Sequence, residues 1–388
     1  MTPVLPPPPP PRTVAVVAGE ARSLVRFRGR LLEAMIARGH RVHTIAPGDP
    51  PPELLALGVR HHRWDMHRTG ARPWQEVRAI ARLTGILRGI APDAVLSYST
   101  KAMVWGALAA AVARVPNIYT MVTGLGYLFQ PPAPEEDLRA RARRLVLAMV
   151  TRSWFRLAFA QTRAVLVQNA DDAAELRRLH VLPVGHRVVR IAGSGIDLEH
   201  YGAHPVPREG PPVFLFVGRL LRDKGLGEFV AAARRLRQRY GGAVRCVVLG
   251  PLDVNPSQIG RAELDAWVAE GVIEYAGEVD DVRPWLRACT AFVLPSYREG
   301  VPRSGLEAMA VGRAILTTDA PGCRETVEPE GNGVLVPVRD AEALAAAMAR
   351  VVERPELAAS WGRRSRALAE AVFDVHMVNA EILAAMAL

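Results

Sequence analysis

The sequence predicts an α/β protein made of two Rossmann-like, doubly wound domains facing each other across a cleft. Three observations carry that expectation. The chain has 388 residues, about twice the roughly 100–200 of an ordinary domain. Short apolar runs alternate with helix-spaced segments through 13–200, and the alternation restarts through 213–374. Between the two series, 201–212 contains Gly202, Pro205, Pro207, Gly210, Pro211 and Pro212, a composition suited to a linker. No repeat of 20–50 residues occurs, which disfavours a solenoid.

Taken in order, residues 1–12 carry Pro3 and an unbroken run from Pro6 to Pro11. Proline cannot donate backbone hydrogen bonds, so a disordered polyproline II tail is expected. An apolar run at 14–18, a Gly19-Glu20 turn, a helix bearing Leu31, Leu32 and Met35, and a second run at 42–46 make a βαβ start. Strands are expected next at 94–98 and 117–122 around a helix over 103–113. They are followed by the loop Thr123-Gly124-Leu125-Gly126, a long basic helix over 137–159, and strands at 164–167 and 187–191. The second series predicts strands at 213–217, 244–249, 273–275, 291–294 and 314–317. Its helices are expected at 227–239, 261–270, 281–288, 304–311, 341–352 and 355–373. The remainder, 375–388, reads as a C-terminal helix packing back on the first domain.

Composition is ordinary for a globular chain, with 49% apolar, 23% charged and 6% aromatic residues. The net charge of +10 is unevenly distributed. Residues 1–200 hold 27 Lys+Arg against 15 Asp+Glu, whereas 201–388 hold 22 against 24. The basic half points to an anionic partner: nucleic acid, a phospholipid surface or a phosphorylated substrate. Aromatic stacking platforms and nucleic-acid recognition motifs are absent, so nucleic acid is not expected. Only Lys101 and Lys224 are lysines among the 49 basic residues, a hint that those positions need a compact ammonium. Cys246, Cys289 and Cys323 have neither metal-ligand nor disulfide spacing, so buried free thiols in a reducing compartment are expected. The most apolar run, 102–113, is shorter than the ~20 residues a membrane-spanning helix needs. The N-terminus lacks the pattern of a secretory leader.

Two segments carry chemistry. In the first, a strand closes at Gly218, where a side chain would obstruct a ligand, and Arg219 and Lys224 follow. In an open α/β sheet ligands bind beyond the carboxyl ends of strands. A planar guanidinium and a point-charge ammonium there suit a diphosphate; a solvated loop with Lys224 paired to Asp223 is the plainer reading. The second runs from Ser296 through Glu299, Gly300, Val301, Pro302, Arg303, Ser304 and Glu307. A helix beginning near Ser304 offers free N–H groups to phosphate oxygens. Glu299 and Glu307 can accept from the hydroxyls of a polyol. Ser304-x-x-Glu307 is equally a capping box, which taken locally is the stronger reading for Glu307.

The span 213–336 with Gly218, Arg219, Lys224, Glu299-x7-Glu307, 318–325 and Gly331-Asn332-Gly333 resembles the donor half of the family 4 retaining glycosyltransferases. Their fold is GT-B, two Rossmann-like domains with a cleft between. The first half, through 23–28, 39–42, 98–101, 122–127, 168–172 and 193–197, is similar to bacterial transferases that extend lipid-linked sugars for capsule, O-antigen or N-glycan assembly.

The resemblance implies that Arg219 and Lys224 bind the donor diphosphate, helped by Gly218 and by N–H groups of Gly300, Val301, Arg303 and Ser304. It implies further that Glu307 takes the ribose hydroxyls and Glu299 the transferred sugar. Gly19, Thr123 and Gly124 fall on the acceptor side. The chain departs from the family in lacking a histidine in 123–126 and in having Gly19-Glu20 where many members have Gly-Gly. No metal or other cofactor is implied, and no Asp-x-Asp cluster lies beside the donor strand. Implied partners are a nucleotide diphosphate sugar, most commonly of UDP, and a lipid-linked saccharide acceptor. The location implied is cytoplasmic, peripheral on the inner face of the cell membrane. The basic stretch 139–156 fits an anionic membrane surface, or else an amphipathic helix with a solvated Arg face and a core Trp. A GT-B sugar-nucleotide epimerase or a non-catalytic sugar-nucleotide binder shares the same fold, since fold does not fix chemistry.

Overall fold

A computed structural model describes residues 10–66, 73–125, 138–252 and 257–388. Most of the expected proline tail and Gly126 of the 123–126 loop lie outside the described residues. The chain forms two compact units. One runs to Ser194 and includes His376–Leu388; the other is Gly195–Val375.

The first unit contains β1 (Thr13–Val17), α1 (Ala21–Ala37), β2 (Arg41–Ala46), α2 (Pro52–Ala56), β3 (Arg60–Arg63), α3 (Pro73–Ile90), β4 (Ala94–Tyr98) and α4 (Thr100–Val112). After these come β5 (Asn117–Val122), α5 (Leu138–Phe159), β6 (Ala164–Val167), α6 (Ala170–Arg178) and β7 (Val188–Arg190). The strands form one sheet of order β3-β2-β1-β4-β5-β6-β7, with every pairing parallel. A parallel sheet is covered on both faces, so its central strands are continuously apolar. Val14, Val16, Leu96 and Leu166 face the layer holding α1. Ala15, Val17, Val95 and Val165 face the layer of α3, α4 and α5. The last helix, α13 (Val375–Met386), lies in the α1 layer through Val378, Ile382 and Leu383. Its end is fixed by Tyr119 Oη, which donates to the Met386 carbonyl at 3.1 Å.

The second unit contains β8 (Val213–Val217), α7 (Leu226–Tyr240), β9 (Arg245–Leu249), α8 (Arg261–Ala269), β10 (Glu274–Tyr275) and α9 (Arg283–Ala288). It continues with β11 (Ala291–Leu294), α10 (Arg303–Val311), β12 (Ala314–Thr318), β13 (Gly333–Val336), α11 (Ala341–Glu353) and α12 (Pro355–Val372). Its sheet has the order β10-β9-β8-β11-β12-β13, again parallel throughout. In both sheets the order reverses between two adjacent strands, β1 and β4 in one and β8 and β11 in the other. Such a switch point is where open α/β sheets bind ligands.

The segment 201–212 is not the free linker its composition suggested. The boundary between units falls at Ser194/Gly195, and the following residues are fastened to the second unit by two arginines. Arg313, fully buried, donates to the carbonyls of His204 and Pro205 at 2.8 and 3.1 Å. Arg366 donates to the Tyr201 carbonyl at 2.9 Å and to that of Ala310 at 2.8 Å. Partners a hundred residues away leave no trace in local composition.

Helix α5 differs from the reading of an amphipathic helix with a solvated Arg face and a core Trp. Phe155, Ala158 and Phe159 are buried, but Leu145, Val146, Met149, Val150, Trp154 and Leu157 are exposed. Arg152 and Arg156 instead turn toward the end of α6, donating to the carbonyls of Leu179 and His180. The outward face is therefore apolar, and Trp154 is a surface residue packed edge-on against Trp105 at 4.8 Å. Among the described residues, no helix is long and apolar enough to cross a membrane.

Candidate active site

The donor-side residues predicted from sequence gather at the switch point of the second sheet. Gly218 and Arg219 follow β8, and the loop carrying Ser296 to Pro302 follows the neighbouring β11. Gly218 continues the β8 ladder by donating to the Leu249 carbonyl at 3.0 Å. A Cβ there would meet its nearest protein atom at an ordinary 3.7 Å, so the fold itself does not demand glycine at 218.

Close backbone approaches bring the two loops together. A short 3-10 turn, Arg222–Lys224, ends at Gly225, whose φ is +72°. A Cβ on Gly225 would stand 2.0 Å from the Pro295 carbonyl oxygen, so only glycine lets the turn lie against the end of β11. The Asp223 carbonyl then accepts from Tyr297 N at 2.9 Å and from Ser296 Oγ at 3.1 Å. On the other side Gly322, with φ +77°, places its backbone where a Cβ would meet the carbonyl oxygens of Glu299 and Gly300 at 2.3 and 2.2 Å. Glu299 N donates to the Pro321 carbonyl at 2.9 Å. Backbone contacts thus hold the Glu299 loop on both sides.

Across this junction Lys224 Nζ donates to Glu299 Oε1. Both side chains are largely withdrawn from solvent, at 20% and 12% exposure. The plainer expectation of a Lys224–Asp223 surface pair is thereby replaced. Arg222, not Lys224, makes the exposed ion pair of this turn, with Glu263 at 2.7 Å. The chain's other lysine behaves likewise in the first unit: Lys101 Nζ lies 2.7 Å from Glu76 Oε1, and Glu76 also accepts from Trp105 Nε1.

Glu307 corrects the capping-box reading. Helix α10 starts at Arg303 with Pro302 as its cap and no side-chain capping bond. Ser304 is therefore inside the first turn, and Glu307 lies a turn further on, out of reach of the box geometry. Its Oε1 accepts from Tyr201 Oη at 3.0 Å and from Arg303 Nε at 3.2 Å, and the carboxylate is 13% exposed. Arg303 also donates to the Gly195 carbonyl at 3.0 Å. Arg303 and Ser304 begin a helix whose first turn holds no acid, so its positive end is left for an anion. Val301 is buried just before it.

Three residues of this site were not singled out by sequence: Tyr201, Gly225 and Gly322. The last two show only as glycines in loops, and Tyr201 lay in the presumed linker. The Asn332 of Gly331-Asn332-Gly333 is structural. It is fully buried, accepts from Glu328 N at 2.7 Å and donates to the Thr326 carbonyl at 3.0 Å. All three thiols are buried, and burial pushes each up to about 12. Neutral thiols of this kind are poor nucleophiles.

In the first unit Gly19 follows β1, and Thr123 and Gly124 follow β5. Gly124 has φ +115°. A Cβ on Gly19 would stand 3.2 Å from that of Ser99, a non-glycine residue at φ +71° heading α4. His61 and His62 lie on the edge strand β3. His62 is 2.9 Å from His43, and burial lowers the pKa of each. Among the described residues no group of three or more His, Cys, Asp or Glu is placed to hold a metal.

Two Rossmann-like units, each with an all-parallel sheet and the second with its cations and carboxylates at the switch point, are the parts of a GT-B glycosyltransferase. Two family profiles agree with the geometry: residues 25–200 match Glycosyltransferase Family 4 and residues 211–354 match Glycosyl transferases group 1. The chain belongs to the family 4 glycosyltransferases.

It is 27% identical over 348 residues to the N,N'-diacetylbacillosaminyl-diphospho-undecaprenol alpha-1,3-N-acetylgalactosaminyltransferase of Campylobacter jejuni, covering 86% of this chain and 88% of that one. It is 28% identical over 368 residues to a GDP-mannose-dependent alpha-mannosyltransferase of Mycobacterium tuberculosis, covering 90% and 88%. Among solved structures, the fold matches sucrose-phosphate synthase from Thermosynechococcus elongatus with a TM-score of 0.77 at 19% identity, over 96% of this chain and 97% of that one. It also matches Anabaena HepE in complex with UDP-glucose, with a TM-score of 0.73 at 17% identity, over 97% and 99%.

Proposed function

We propose that this enzyme is a retaining transferase that moves a hexose or N-acetylhexosamine from a nucleotide diphosphate sugar, most commonly a UDP-sugar, to a polyprenyl-diphosphate-linked saccharide in surface polysaccharide or glycan assembly. The observation that carries the reading is the Lys224–Glu299 pair at the β8/β11 switch point, with Arg219 on the same strand end and Glu307 on the adjoining helix. The named activity of the Campylobacter relative, which acts on such a lipid-linked saccharide, supports the acceptor class.

In this reading the bond from the anomeric carbon to the diphosphate breaks while the acceptor oxygen bonds to that carbon on the same face. The acceptor proton passes to a donor phosphate oxygen. Negative charge grows on the departing diphosphate, where Arg219, Lys224 and the amino end of α10 supply fixed positive potential. No metal or other cofactor is needed for that stabilisation, because side-chain and backbone donors perform it. Glu299 accepts from hydroxyls of the transferred sugar while orienting Lys224, and Glu307 accepts from the ribose. Gly19, Thr123 and Gly124 form part of the acceptor side.

The test is release of nucleoside diphosphate from a panel of UDP- and GDP-sugars, with and without a polyprenyl-diphosphate saccharide. Release from one donor that rises at least tenfold with the lipid-linked acceptor is the expected result. Free interconversion of nucleotide sugars without transfer would instead identify an epimerase.

A peripheral position on the inner face of the cell membrane completes the reading, with α5 as the contact. Its apolar outward face supports this, because a contiguous exposed patch of that kind marks an interaction surface. Arg139 at the start of α5 is exposed and adds attraction to anionic lipid, each such cation contributing about 1 kcal/mol near the surface. Sedimentation with anionic liposomes should retain most of the protein, and much of that binding should persist in high salt because apolar burial is not screened. Met149→Glu together with Trp154→Glu should release it. Protein that stays in the supernatant at low salt would rule the membrane contact out.

A further inference from the structure

Only one oxygen of the Glu307 carboxylate is engaged among the described residues. Oε1 takes both the Tyr201 hydroxyl, at 3.0 Å, and Arg303 Nε, at 3.2 Å. The capacity that remains for accepting a ligand hydroxyl is therefore concentrated on Oε2.

Tyr201 reaches this carboxylate from a segment 106 residues away in sequence. It is 9% exposed. Its backbone is held at both ends: Tyr201 N donates to the Asp197 carbonyl at 2.9 Å, and its own carbonyl accepts from Arg366. Burial, and then the Glu307 charge, raise its pKa well above the ordinary phenol value. The hydroxyl thus stays protonated and remains a donor.

We infer that Tyr201 is a positioning residue for nucleotide recognition, clamping Oε1 of Glu307 so that Oε2 is presented to the ribose hydroxyls of the donor. Selection of a ribonucleotide is then shared between α10 and the segment that leads into the second unit. This rests on the reading that Glu307 binds the ribose.

The experiment compares wild type, Tyr201→Phe and Glu307→Gln in binding UDP or GDP, whichever binds more tightly, and its 2'-deoxy and 3'-deoxy forms, with donor KM and kcat measured alongside. Tyr201→Phe keeps the ring and deletes only the hydroxyl. It should weaken the ribonucleotide about three- to tenfold, the range for one ordinary hydrogen bond, because the deletion reaches the ligand only through Glu307. The deoxy forms should be weakened less, so that discrimination shrinks, and the loss should appear in donor KM with kcat within about twofold of wild type. Tyr201→Phe with unchanged affinity and discrimination overturns the positioning role. So does a loss spread equally over ribo and deoxy ligands, which marks a purely structural tyrosine. Glu307→Gln separates this from the underlying reading: if it keeps full discrimination, the ribose assignment itself fails; if it loses discrimination while Tyr201→Phe does not, only the inference fails.

Discussion

Replacing Lys224 with alanine is expected to lower turnover by about 10²–10³-fold while leaving the fold intact, and Arg219→Ala should fall in the same range. A preorganised donor to a developing anion is worth roughly 3–4 kcal/mol in the transition state, which sets that scale. The fold should survive because the turn bearing Lys224 is held by its backbone, through Asp223 to Tyr297 and Ser296 and through Gly225 against Pro295. Removing the ammonium also takes from Glu299 its Lys224 partner, which the proposed contact with the transferred sugar should register.

Lys224→Arg should rescue poorly, since a planar fork cannot replace a point charge seated between two close loops. The measurement is steady-state transfer, with circular dichroism and thermal unfolding as controls. Near-normal transfer by Lys224→Ala or Arg219→Ala would remove the diphosphate assignment.

The second large effect concerns stability. Arg313→Ala should cost about 3–5 kcal/mol, from several buried carbonyls left without a donor together with the cavity. Arg313 is completely buried and bonds the carbonyls of Leu286, Arg287, Gly312, His204 and Pro205. Buried acceptors stripped of their donor cannot turn to water, and a cavity the size of a guanidinium remains. For a unit of this size the cost corresponds to a fall of roughly 6–20 °C in unfolding midpoint. Calorimetry should show it, and a change below 3 °C would mean that the carbonyl cluster finds other partners. Burial lowers the Arg313 pKa, yet guanidinium remains a cation at any pH the protein meets.

Much of this architecture could be read in advance because parallel strands buried on both faces are written as unbroken apolar runs. Strands at 94–98, 117–122, 164–167, 213–217 and 291–294 occur at those positions. The strand Arg60–Arg63 escaped because its sequence, Arg-His-His-Arg, is polar and half-exposed at the sheet edge, paired on β2 alone. Helix α3 was missed as well.

In the site, the positions of Arg219 and Lys224 beyond β8 were legible because the strand before them ends in glycine; the donor role given to them is the proposal that the Lys224→Ala and Arg219→Ala measurements test. Glu307 was misjudged locally: an N-cap at Pro302, two residues before Ser304, converts an apparent capping box into a carboxylate available for other work. Tyr201 could not be read at all, since its importance lies in a tertiary contact made by a segment whose prolines and glycines imitate a tether.

Because the chain contains just two ε-amines, each drawn into a separate unit and shielded by a glutamate, acylating reagents find a nearly blank surface. Covalent attachment through lysine would fall on the Lys224–Glu299 pair or on the Lys101–Glu76 pair rather than on an exposed exterior. Under the proposed function, tethering this enzyme to a support through amines is expected to lower its activity, whereas its arginine-coated surface is spared.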